Sequence, residues 1–522
     1  MDFNSHIAEK KYQKEILIII LCLVTGFALR FYTFDKKSLW GDEVYTFNDS
    51  RFNINNQIGF YKEESTYLHP PLFFILTHLL YPFSWPERDL RIIPLIFGTL
   101  SIPMIFFLSK QFSTNIALPC TLSLTFMAYH ISLSQDGRAY AFLMCLGMGS
   151  LFTFMHFLKT YRYIYIFLTA FFFAILFFTS YSSIPFLVFS QILWFYQTRE
   201  NKKKKIFSSF LLLNGMTLLF ILPWLCFLGL NYKGQPLTVP YHKEDPGSLV
   251  SILYGLIYDW ASFPLLLIIS VTLLILSPFL SNKKKNSLIL VCMLVFPVGG
   301  LYLFCRLWGI THFITSRYFI NLLPLFLISL YSSVIDIEIK FQKINKWIRP
   351  SILLLILFIV SNLLFLPYYY RSEKMDFRRL ATYLKTHLQE GDKIFVVSPA
   401  LMPGILHYFG NFPAGRQDIL YPITESGGKV GYRSSLFYQN NIHPIFYSTQ
   451  CCNQYVIDGS RLWIIVFKDL AKDLKKNSPA VLKGYFDGSV LNLHRFPTDA
   501  SMYLFLWDPK SPEEKGIDKP IE

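Results

Sequence analysis

The residues best suited to chemistry are two adjacent carboxylates, Asp42 and Glu43, which follow Trp40 in the segment Ser38 to Glu43. A carboxylate can take the proton of an attacking hydroxyl group, and tryptophan is enriched where a chain meets the membrane surface. The pattern therefore indicates a general base that meets a lipid-borne substrate. The same dipeptide is common in solvated turns, and its spacing alone does not separate the two interpretations.

A histidine followed by two prolines, His69-Pro70-Pro71, forms the second cluster. The prolines fix the backbone and break any helix, so they would present His69 rigidly at the membrane surface. The alternative is that His69 only caps or starts the helix that follows. Both interpretations place the histidine at the edge of an apolar segment.

The third cluster is Ser134 to Tyr140, which contains Asp136 and Arg138 between two apolar blocks. Charged groups buried near a membrane surface need partners, and they are kept there for a reason. Asp136 and Arg138 therefore either belong to a functional site or form a structural salt bridge.

The fourth cluster is Arg317-Tyr318, where an arginine starts an apolar segment. Its guanidinium group can grip a phosphate through two parallel hydrogen bonds, or it can reach toward lipid headgroups. Tyr318 and Tyr45 are further site candidates because they accompany the fourth and first clusters. Three more arginines are expected to be structural: Arg30, Arg88 and Arg91.

The elements that carry these clusters are membrane spans. Of the 522 residues, 53% are hydrophobic and 16% are charged, below the quarter that is usual for soluble domains. The apolar residues form blocks of about 20, the length that crosses a bilayer. The net charge of +15 comes largely from short linkers such as Lys202 to Lys205 and Lys283 to Lys285. This positive-inside distribution argues against a nucleic-acid binder.

Charge and length together predict eleven spans, with the N-terminus inside and the C-terminal tail outside. Residues 16–34 are predicted to be the first span rather than a cleaved signal peptide, because no small-residue cleavage site follows them. The predicted spans are 16–34, 91–109, 114–133, 139–158, 163–179, 183–198, 206–230, 263–280, 287–305, 318–336 and 350–369.

Residues 69–83 are apolar but too short to span, and counting them as a span would place the later lysines outside. Residues 35–90 are therefore predicted to be one external loop with an in-plane or re-entrant helix, and 248–262 to be interfacial. All four polar clusters then lie on the external side. The other predicted external segments are 134–138, 231–247, 305–317 and the chain after residue 370.

The composition changes near Arg371, and residues 371–522 are predicted to form a small extracytoplasmic α/β domain. Asp376 is a predicted N-cap for a helix over Phe377 to Gln389, followed by a turn at Gly391-Asp392. No glycine-rich phosphate loop is present, so no nucleotide is expected. Cys451-Cys452 lacks zinc-ligand spacing and is interpreted as a solvent-facing pair. The predicted strands are Ile394 to Val397, Leu462 to Phe467 and Met502 to Leu506.

With its clusters in this order, the chain resembles the GT-C glycosyltransferases over residues 15–400. Within them it is similar to the bacterial branch related to dolichyl-phosphate-mannose protein mannosyltransferases and the undecaprenyl-phosphate aminoarabinose transferase. The motifs that carry the resemblance are Leu39-Trp40-Gly41-Asp42-Glu43, His69-Pro70-Pro71-Leu72, Arg91-Ile92-Ile93-Pro94, Ser134-Gln135-Asp136-Gly137-Arg138-Ala139-Tyr140 and Arg317-Tyr318-Phe319.

The resemblance implies a polytopic α-helical membrane protein with residues 1–370 as a GT-C-like catalytic domain. It also implies transfer of a sugar from a polyprenyl-phosphate donor to a lipid, glycan or protein acceptor, on the extracytoplasmic face of a bacterial inner membrane. Asp42 matches the catalytic base of such enzymes, and Glu43 matches the second acid of that pair. The cations expected to contact the donor phosphate are Arg317 first, then Arg138 and His69.

Two motifs depart from the family pattern. His69 stands where the aminoarabinose transferase has lysine before Pro-Pro, which argues against an aminoarabinose donor. The third motif usually reads Gln-Glu-Ala-Arg in this branch, whereas here it is Gln135-Asp136-Gly137-Arg138. Both departures leave the identity of the phosphate-binding residues open.

No cofactor is required by this chemistry. A divalent metal could bind near Asp42, Glu43 and Asp136, because such ions favour oxygen ligands. The alternative function is a transporter or flippase of lipid-linked sugars, which would also have many spans. Transporters tend to place charges at the membrane midplane between paired repeats, whereas the polar clusters here gather at one face.

Overall fold

The chain is mostly helical, with a small mixed sheet near its C-terminal end. Cys451, Cys452 and residues 232–247 of a predicted external loop lie outside the part of the chain that the structure describes. The computed structural model describes residues 3–51, 53–63, 69–195, 203–231, 248–281, 284–307, 315–340, 349–396, 401–409, 435–439, 443–447, 461–488, 500–510 and 516–517.

The first part of the chain combines long apolar helices with short helices in the predicted external loop. These helices are α1 (Phe3–Phe31), α2 (Gly41–Ser50), α3 (Ile54–Glu63), α4 (Leu72–His78), α5 (Pro86–Asp89), α6 (Ile92–Phe112), α7 (Thr114–Phe126), α8 (Ala128–Ser134), α9 (Tyr140–Thr160), α10 (Tyr163–Thr179) and α11 (Ile184–Ser190). A 3-10 turn precedes α11 and another follows it, so this segment runs over Tyr181–Phe195.

Long apolar helices then continue to the start of the C-terminal region. Their bounds are α12 (Lys203–Asn231), α13 (Leu249–Ala261), α14 (Pro264–Leu280), α15 (Lys284–Leu307), α16 (Leu323–Lys340) and α17 (Pro350–Arg371). A 3-10 helix over Ser316–Leu322 leads directly into α16. Because its backbone is kinked at Phe319, the side chains of this short helix point in directions that a continuous α-helix would not give them.

Six helices in the described part of the chain are long and apolar enough to cross a membrane, or up to eight if each of two bent pairs is one span. The six lie at predicted spans, and the bent pairs are α7 with α8, at 60°, and α13 with α14, at 118°. Two shorter apolar segments, α10 and Tyr181–Phe195, coincide with two more predicted spans. The chain is thus an integral membrane protein, while the total of eleven spans stays a prediction.

The prediction that residues 69–83 do not span the membrane agrees with the structure. Only α4, of seven residues, forms within them. Such a helix is about 10 Å long, a third of the thickness of a hydrocarbon core. Likewise, the 118° bend after α13 sets this helix steeply across the direction of α14. The interfacial position of residues 248–262 stays a prediction.

The break between α7 and α8 frees backbone groups that would be costly to leave without partners in a membrane. Arg30 of α1, which is fully buried, donates hydrogen bonds to the carbonyl oxygens of Leu124 at 2.9 Å and Thr125 at 3.2 Å. On the other side, the Asn362 side chain of α17 accepts a hydrogen bond from the Ala128 amide at 2.8 Å. The first and last of these long helices therefore stabilise the bend that leads into the third cluster.

The C-terminal sheet has six strands in the order β2-β3-β1-β4-β6-β5. β1 is parallel to both β3 and β4, and the remaining pairs are antiparallel. The strands are β1 (Lys393–Val396), β2 (Ser435–Gln439), β3 (His443–Tyr447), β4 (Leu462–Phe467), β5 (Val481–Phe486) and β6 (Met502–Trp507). The helices of this region are α18 (Phe377–His387), α19 (Met402–Phe409) and α20 (Lys468–Asn477).

The predicted elements of the tail are confirmed. The Asp376 carboxylate caps α18 by accepting a hydrogen bond from the Arg379 amide at 3.2 Å, and the helix ends two residues before its predicted end. Gly391 forms the predicted turn with a φ of 87°, a conformation that favours glycine. The predicted strands correspond to β1, β4 and β6, which are apolar enough to be recognised from their composition alone.

One face of the sheet packs on α18 and α19 in an apolar core that also contains Trp40. Trp40 comes from the loop over 35–90 that is predicted to be external, far from the tail in sequence. This loop and the C-terminal region therefore share a hydrophobic core, and burial of apolar surface holds them together.

Arg30→Met is expected to destabilise the protein strongly, because carbonyl groups at the α7–α8 break would lose their partners at membrane depth. The cost of such groups is several kcal/mol. The measurement is the apparent melting temperature of the purified full-length protein. Arg306→Met, at an exposed arginine that ends α15, is the matched control and should leave the melting temperature unchanged. Equal melting temperatures for the two variants would contradict this account of the break.

Candidate active site

The two adjacent carboxylates sit in the first turn of α2, where the positive end of the helix dipole favours negative charge. Successive residues of a helix point about 100° apart, so the two groups face different surroundings. The side chain of Asp42 is 35% exposed, whereas that of Glu43 is fully buried. Two adjacent carboxylates that look equivalent in the sequence therefore differ in their access to solvent.

Glu43 is held by a two-point ion pair. Arg91 donates through Nε to Glu43 Oε1 and through Nη2 to Oε2, each at 2.7 Å. The Gly137 amide donates to Oε1 at 2.6 Å, and the Trp40 amide donates to Oε2 at 3.3 Å. Burial raises the pKa of Glu43, but Arg91 and then Lys374 outweigh it and lower that pKa to about 2. Glu43 is thus a permanent anion with both oxygens engaged.

Arg91 also fixes the backbone that leads into α2. Its Nη1 donates to the carbonyl oxygens of Phe34 and Lys37, at 2.8 and 2.9 Å, and its Nη2 donates to that of Ser38 at 3.0 Å. The expectation of a structural role for Arg91 fits these contacts. One buried guanidinium therefore orients both the loop before α2 and the first turn of the helix.

Asp136 is a second buried carboxylate, close to Glu43. Its Oδ1 accepts a hydrogen bond from Trp40 Nε1 at 2.9 Å and lies 3.2 Å from Lys374 Nζ. Burial raises the pKa of Asp136, Lys374 lowers it and the negative charge of Glu43 raises it again, with the net shift upward. The structural salt bridge considered for Asp136 is therefore present, but its partner is Lys374 rather than Arg138.

Close packing explains why the third cluster has a glycine at position 137. A Cβ atom at Gly137 would lie 3.1 Å from Leu90 Cβ and 3.2 Å from Glu43 Oε1, closer than most Cβ contacts. Two residues before this glycine, Gln135 donates to the carbonyl oxygens of Arg30 and Tyr32, at 2.8 and 2.6 Å. The cluster is therefore packed tightly between α1 and α2, which leaves little room for a side chain at position 137.

Asp42 faces Arg317, which comes from the other half of the membrane region. Arg317 Nη1 lies 3.4 Å from Asp42 Oδ2, although 275 residues separate them in the chain. The guanidinium group lies over two aromatic rings, 4.9 Å from the centre of Trp40 and 5.5 Å from that of Tyr140. These rings contact the face of the guanidinium group and do not accept hydrogen bonds from its N–H groups in this way, so Arg317 can bind an anion.

Arg138 reaches the same helix turn from the third cluster. Its Nη1 donates to the Asp42 carbonyl oxygen at 3.2 Å and to Thr46 Oγ1 at 3.1 Å. Asp42 and Asp136 contribute to raising the pKa of Arg138, against the effect of burial. Arg138 therefore adds positive charge next to Asp42 and also stabilises α2 through these hydrogen bonds.

The remaining candidates surround this centre. His69 is exposed, with its ring centre 6.3 Å from that of Phe74. Desolvation by the surrounding protein lowers the pKa of His69, and the positive charge of Arg138 lowers it further. The negative charge of Asp42 raises this pKa, but the net shift is downward. Tyr45 is half-buried, and burial, then Asp42, raises its pKa, so its hydroxyl group stays protonated. Tyr318 is likewise half-buried and within the electrostatic influence of Asp42.

A third buried carboxylate, Asp259 in α13, was not predicted. Ser316 Oγ donates a hydrogen bond to its carboxylate, and Tyr129 donates to Ser316 Oγ at 2.8 Å. Because Ser316 directly precedes Arg317, this chain of hydrogen bonds fixes the 3-10 helix that carries the guanidinium. The role of Asp259 follows only from the packing of α13 against that helix. A single aspartate in an apolar segment belongs to no sequence motif, so the sequence offers no reason to select it.

A metal site is not formed by the carboxylates suggested for it. Glu43 and Asp136 are engaged by Arg91 and Lys374, while Asp42 faces Arg317. Among the described residues, no group of three or more His, Cys, Asp or Glu side chains could hold a metal ion. The three carboxylates lie near each other but point to different cations.

This arrangement can be compared with solved structures. ArnT from Cupriavidus metallidurans in the apo state superposes with a TM-score of 0.52 at 11% identity, over 95% of this chain and 98% of that one. The crystal structure of the same protein bound to undecaprenyl phosphate gives a TM-score of 0.51 at 12% identity and the same coverage. The chain has the GT-C fold. The fold expected from the motifs is therefore confirmed.

An oligosaccharyltransferase from Archaeoglobus fulgidus, in complex with Zn and sulfate, also matches, with a TM-score of 0.41 at 12% identity. That match covers 74% of this chain and 61% of the other. Neither protein-family models nor curated protein sequences give a match. At these identities the likeness to ArnT concerns the GT-C fold, and the roles of individual residues follow from the contacts described above.

Glu43→Gln is expected to destabilise the protein, because it leaves Arg91 buried without its anion. Breaking a buried pair costs about 3–5 kcal/mol, against about 0–1 kcal/mol for an exposed pair. The matched control is Glu15→Gln, since Glu15 pairs with Lys110 at 2.9 Å in a more exposed setting. Thermal unfolding of both variants should show the larger loss for Glu43→Gln, and similar losses would argue against the importance of the buried pair.

Proposed function

We propose that the protein is a glycosyltransferase that moves a sugar from a polyprenyl-phosphate donor to the hydroxyl group of an acceptor. The observation that carries the proposal is the approach of Asp42 to Arg317 at 3.4 Å. A partly exposed carboxylate stands beside a cation whose Nε has no hydrogen-bond partner among the described residues, on a GT-C fold. One group suits an incoming hydroxyl and the other suits a departing phosphate.

In the proposed reaction, Asp42 takes the proton of the acceptor hydroxyl as its oxygen attacks the anomeric carbon. A new carbon–oxygen bond forms on the face opposite the carrier, and the bond to the phosphate oxygen breaks, so the configuration inverts. The polyprenyl phosphate leaves with the bonding electron pair. Because a phosphate is already a good leaving group, no second carboxylic acid needs to protonate it, unlike in the paired carboxylates of glycosidases.

Glu43 is proposed to position the base rather than to act as one. Its oxygens are buried and bound to Arg91, and its low pKa makes it a poor proton acceptor. Arg317 is proposed to stabilise the charge on the departing phosphate, with Arg138 and His69 as additional contacts. Tyr45 and Tyr318 are proposed to contact the sugar, since both are half-buried and within the electrostatic influence of Asp42.

The fold supports the donor class. ArnT has been crystallised with undecaprenyl phosphate, and its fold covers nearly all of this chain. We therefore propose a polyprenyl-phosphate carrier here, with a lipid, a glycan or a protein as the acceptor. Residues 1–370 are proposed as the catalytic membrane domain and 371–522 as an extracytoplasmic domain, in a bacterial inner membrane. Activity that survives treatment with a chelator would show that no divalent metal is needed.

A transporter of lipid-linked sugars would make different use of the same fold. Transport would move the intact donor across the bilayer, whereas transfer creates a new covalent bond between the sugar and an acceptor. Mass spectrometry of lipids, glycans and surface proteins, with and without the protein, separates the two and identifies the acceptor. A sugar found only on its carrier, redistributed between leaflets, would overturn the enzymatic proposal.

Asp42→Asn is expected to reduce sugar transfer about 10²- to 10⁴-fold, the usual contribution of a general base. The assay is transfer by membranes matched for protein content. Asp35→Asn is the matched control, because Asp35 is a half-buried carboxylate of the same loop with no ion pair among the described residues. Turnover close to that of the unmodified protein in Asp42→Asn would remove Asp42 from the role of base.

Arg317→Ala is expected to impair use of the donor, because the departing phosphate would lose its main cation. Loss of a charge-assisted contact of this kind costs about 2–4 kcal/mol, or roughly 30- to 1000-fold in kcat/KM for the donor. The comparison is with Arg306→Ala, at the exposed end of α15, under varied donor concentration. Unchanged donor dependence in Arg317→Ala would make Arg317 a lipid-headgroup contact instead.

A further inference from the structure

The chain that follows the last long helix runs back across the first external loop. The Ser38 amide donates to Glu373 Oε2 at 3.1 Å, and Arg378 Nη2 lies 2.7 Å from Glu87 Oε1. Between these two contacts, Lys374 is buried inside the loop. The C-terminal region therefore reaches the surroundings of α2 directly.

Lys374 bridges two buried carboxylates. Its Nζ lies 3.2 Å from Asp136 Oδ1 and 3.6 Å from Glu43 Oε1, and it donates to the Gln135 carbonyl oxygen at 3.2 Å. Glu43 has a second cation in Arg91. For Asp136, Lys374 is the only cation within ion-pair distance among the residues that the structure describes. The lysine thus neutralises a carboxylate that would otherwise repel its neighbour.

Asp136 transmits this contact to the proposed site through Trp40. Trp40 Nε1 donates to Asp136 Oδ1 at 2.9 Å, and the indole ring lies under the guanidinium of Arg317. Trp40 also precedes Asp42 by two residues and forms the N-cap of α2. A displacement of Asp136 would therefore move both the start of the helix that carries Asp42 and the ring that supports Arg317.

We propose that Lys374 is a positioning residue for sugar transfer, which fixes the separation of Asp42 and Arg317 through Asp136 and Trp40. This inference rests on the proposed function of that pair. The charged groups that surround Lys374 are Glu43 from α2, Asp136 from the third cluster, Arg91 from the start of α6 and Lys37 from the first external loop.

The charge balance predicts a specific pattern of rescue. Lys374→Met leaves Asp136 as an uncompensated buried anion beside Glu43, and a displacement of about 1 Å can cost about 100-fold in rate. Adding Asp136→Asn removes that anion, and the amide oxygen can still accept the hydrogen bond from Trp40 Nε1. The double variant should therefore recover to within about 10-fold of the unmodified protein.

The matched control is Arg371→Met. Arg371 lies three residues before Lys374, at the end of α17, and its side chain is exposed. We expect wild-type transfer from this variant. Loss of transfer in Lys374→Met without recovery in the double variant would show that Lys374 does not act through Asp136, and would overturn the proposal.

Hydrogen exchange provides a readout that does not depend on activity. In the full-length protein, Lys374→Met should speed amide exchange in peptides covering 38–46 and 135–140, where the Gly137 amide donates to Glu43. The double variant should restore slow exchange, while β4 and β6 should not respond in either. Unchanged exchange in Lys374→Met would overturn the proposal even if transfer falls.

The two proposals fail in different ways. If exchange follows the expected pattern while the unmodified protein transfers no sugar, the positioning contact is supported and the proposed function is wrong. If Lys374→Met does not fold, the Asp136→Asn single variant is compared instead with the double variant that carries Asp136→Asn and Lys374→Met. Folding and transfer in the double variant then support the proposal, and a double variant that also fails to fold overturns it.

Discussion

The buried ion pair between Glu43 and Arg91 is the interaction on which the rest of the site depends. Both groups are almost inaccessible to water, so neither can be left without the other except at a cost of several kcal/mol. Since Arg91 also binds the backbone before α2, the pair sets both the position and the direction of that helix. Asp42 therefore stays partly exposed while its neighbour is anchored.

A second layer of charges surrounds this pair and connects distant parts of the chain. Asp136 comes from the bend between two long helices, Lys374 from the start of the C-terminal region and Trp40 from the first loop. Each of these residues neutralises or orients another, so the layer tolerates burial of several charges. The centre of the site can then consist of few groups: the partly exposed carboxylate of Asp42, facing the buried guanidinium of Arg317.

The C-terminal region therefore contributes to the packing of the segment that precedes α2. Trp40 is part of its hydrophobic core, and Tyr408 of α19 accepts a hydrogen bond from the Leu39 amide at 2.7 Å. Tyr408 also donates to Glu87, which pairs with Arg378. The order of the first loop thus depends on a region that begins more than 300 residues later in the chain.

The sequence by itself determined the membrane character, the four polar clusters, the main strands of the tail and the family likeness. These follow from local properties: block length, charge between blocks, capping residues and short motifs. It could not separate Asp42 from Glu43 or reveal Lys374, because burial and ion pairing depend on contacts between residues far apart in the chain. Only the tertiary structure decided which carboxylate is paired internally and which one is left to face Arg317.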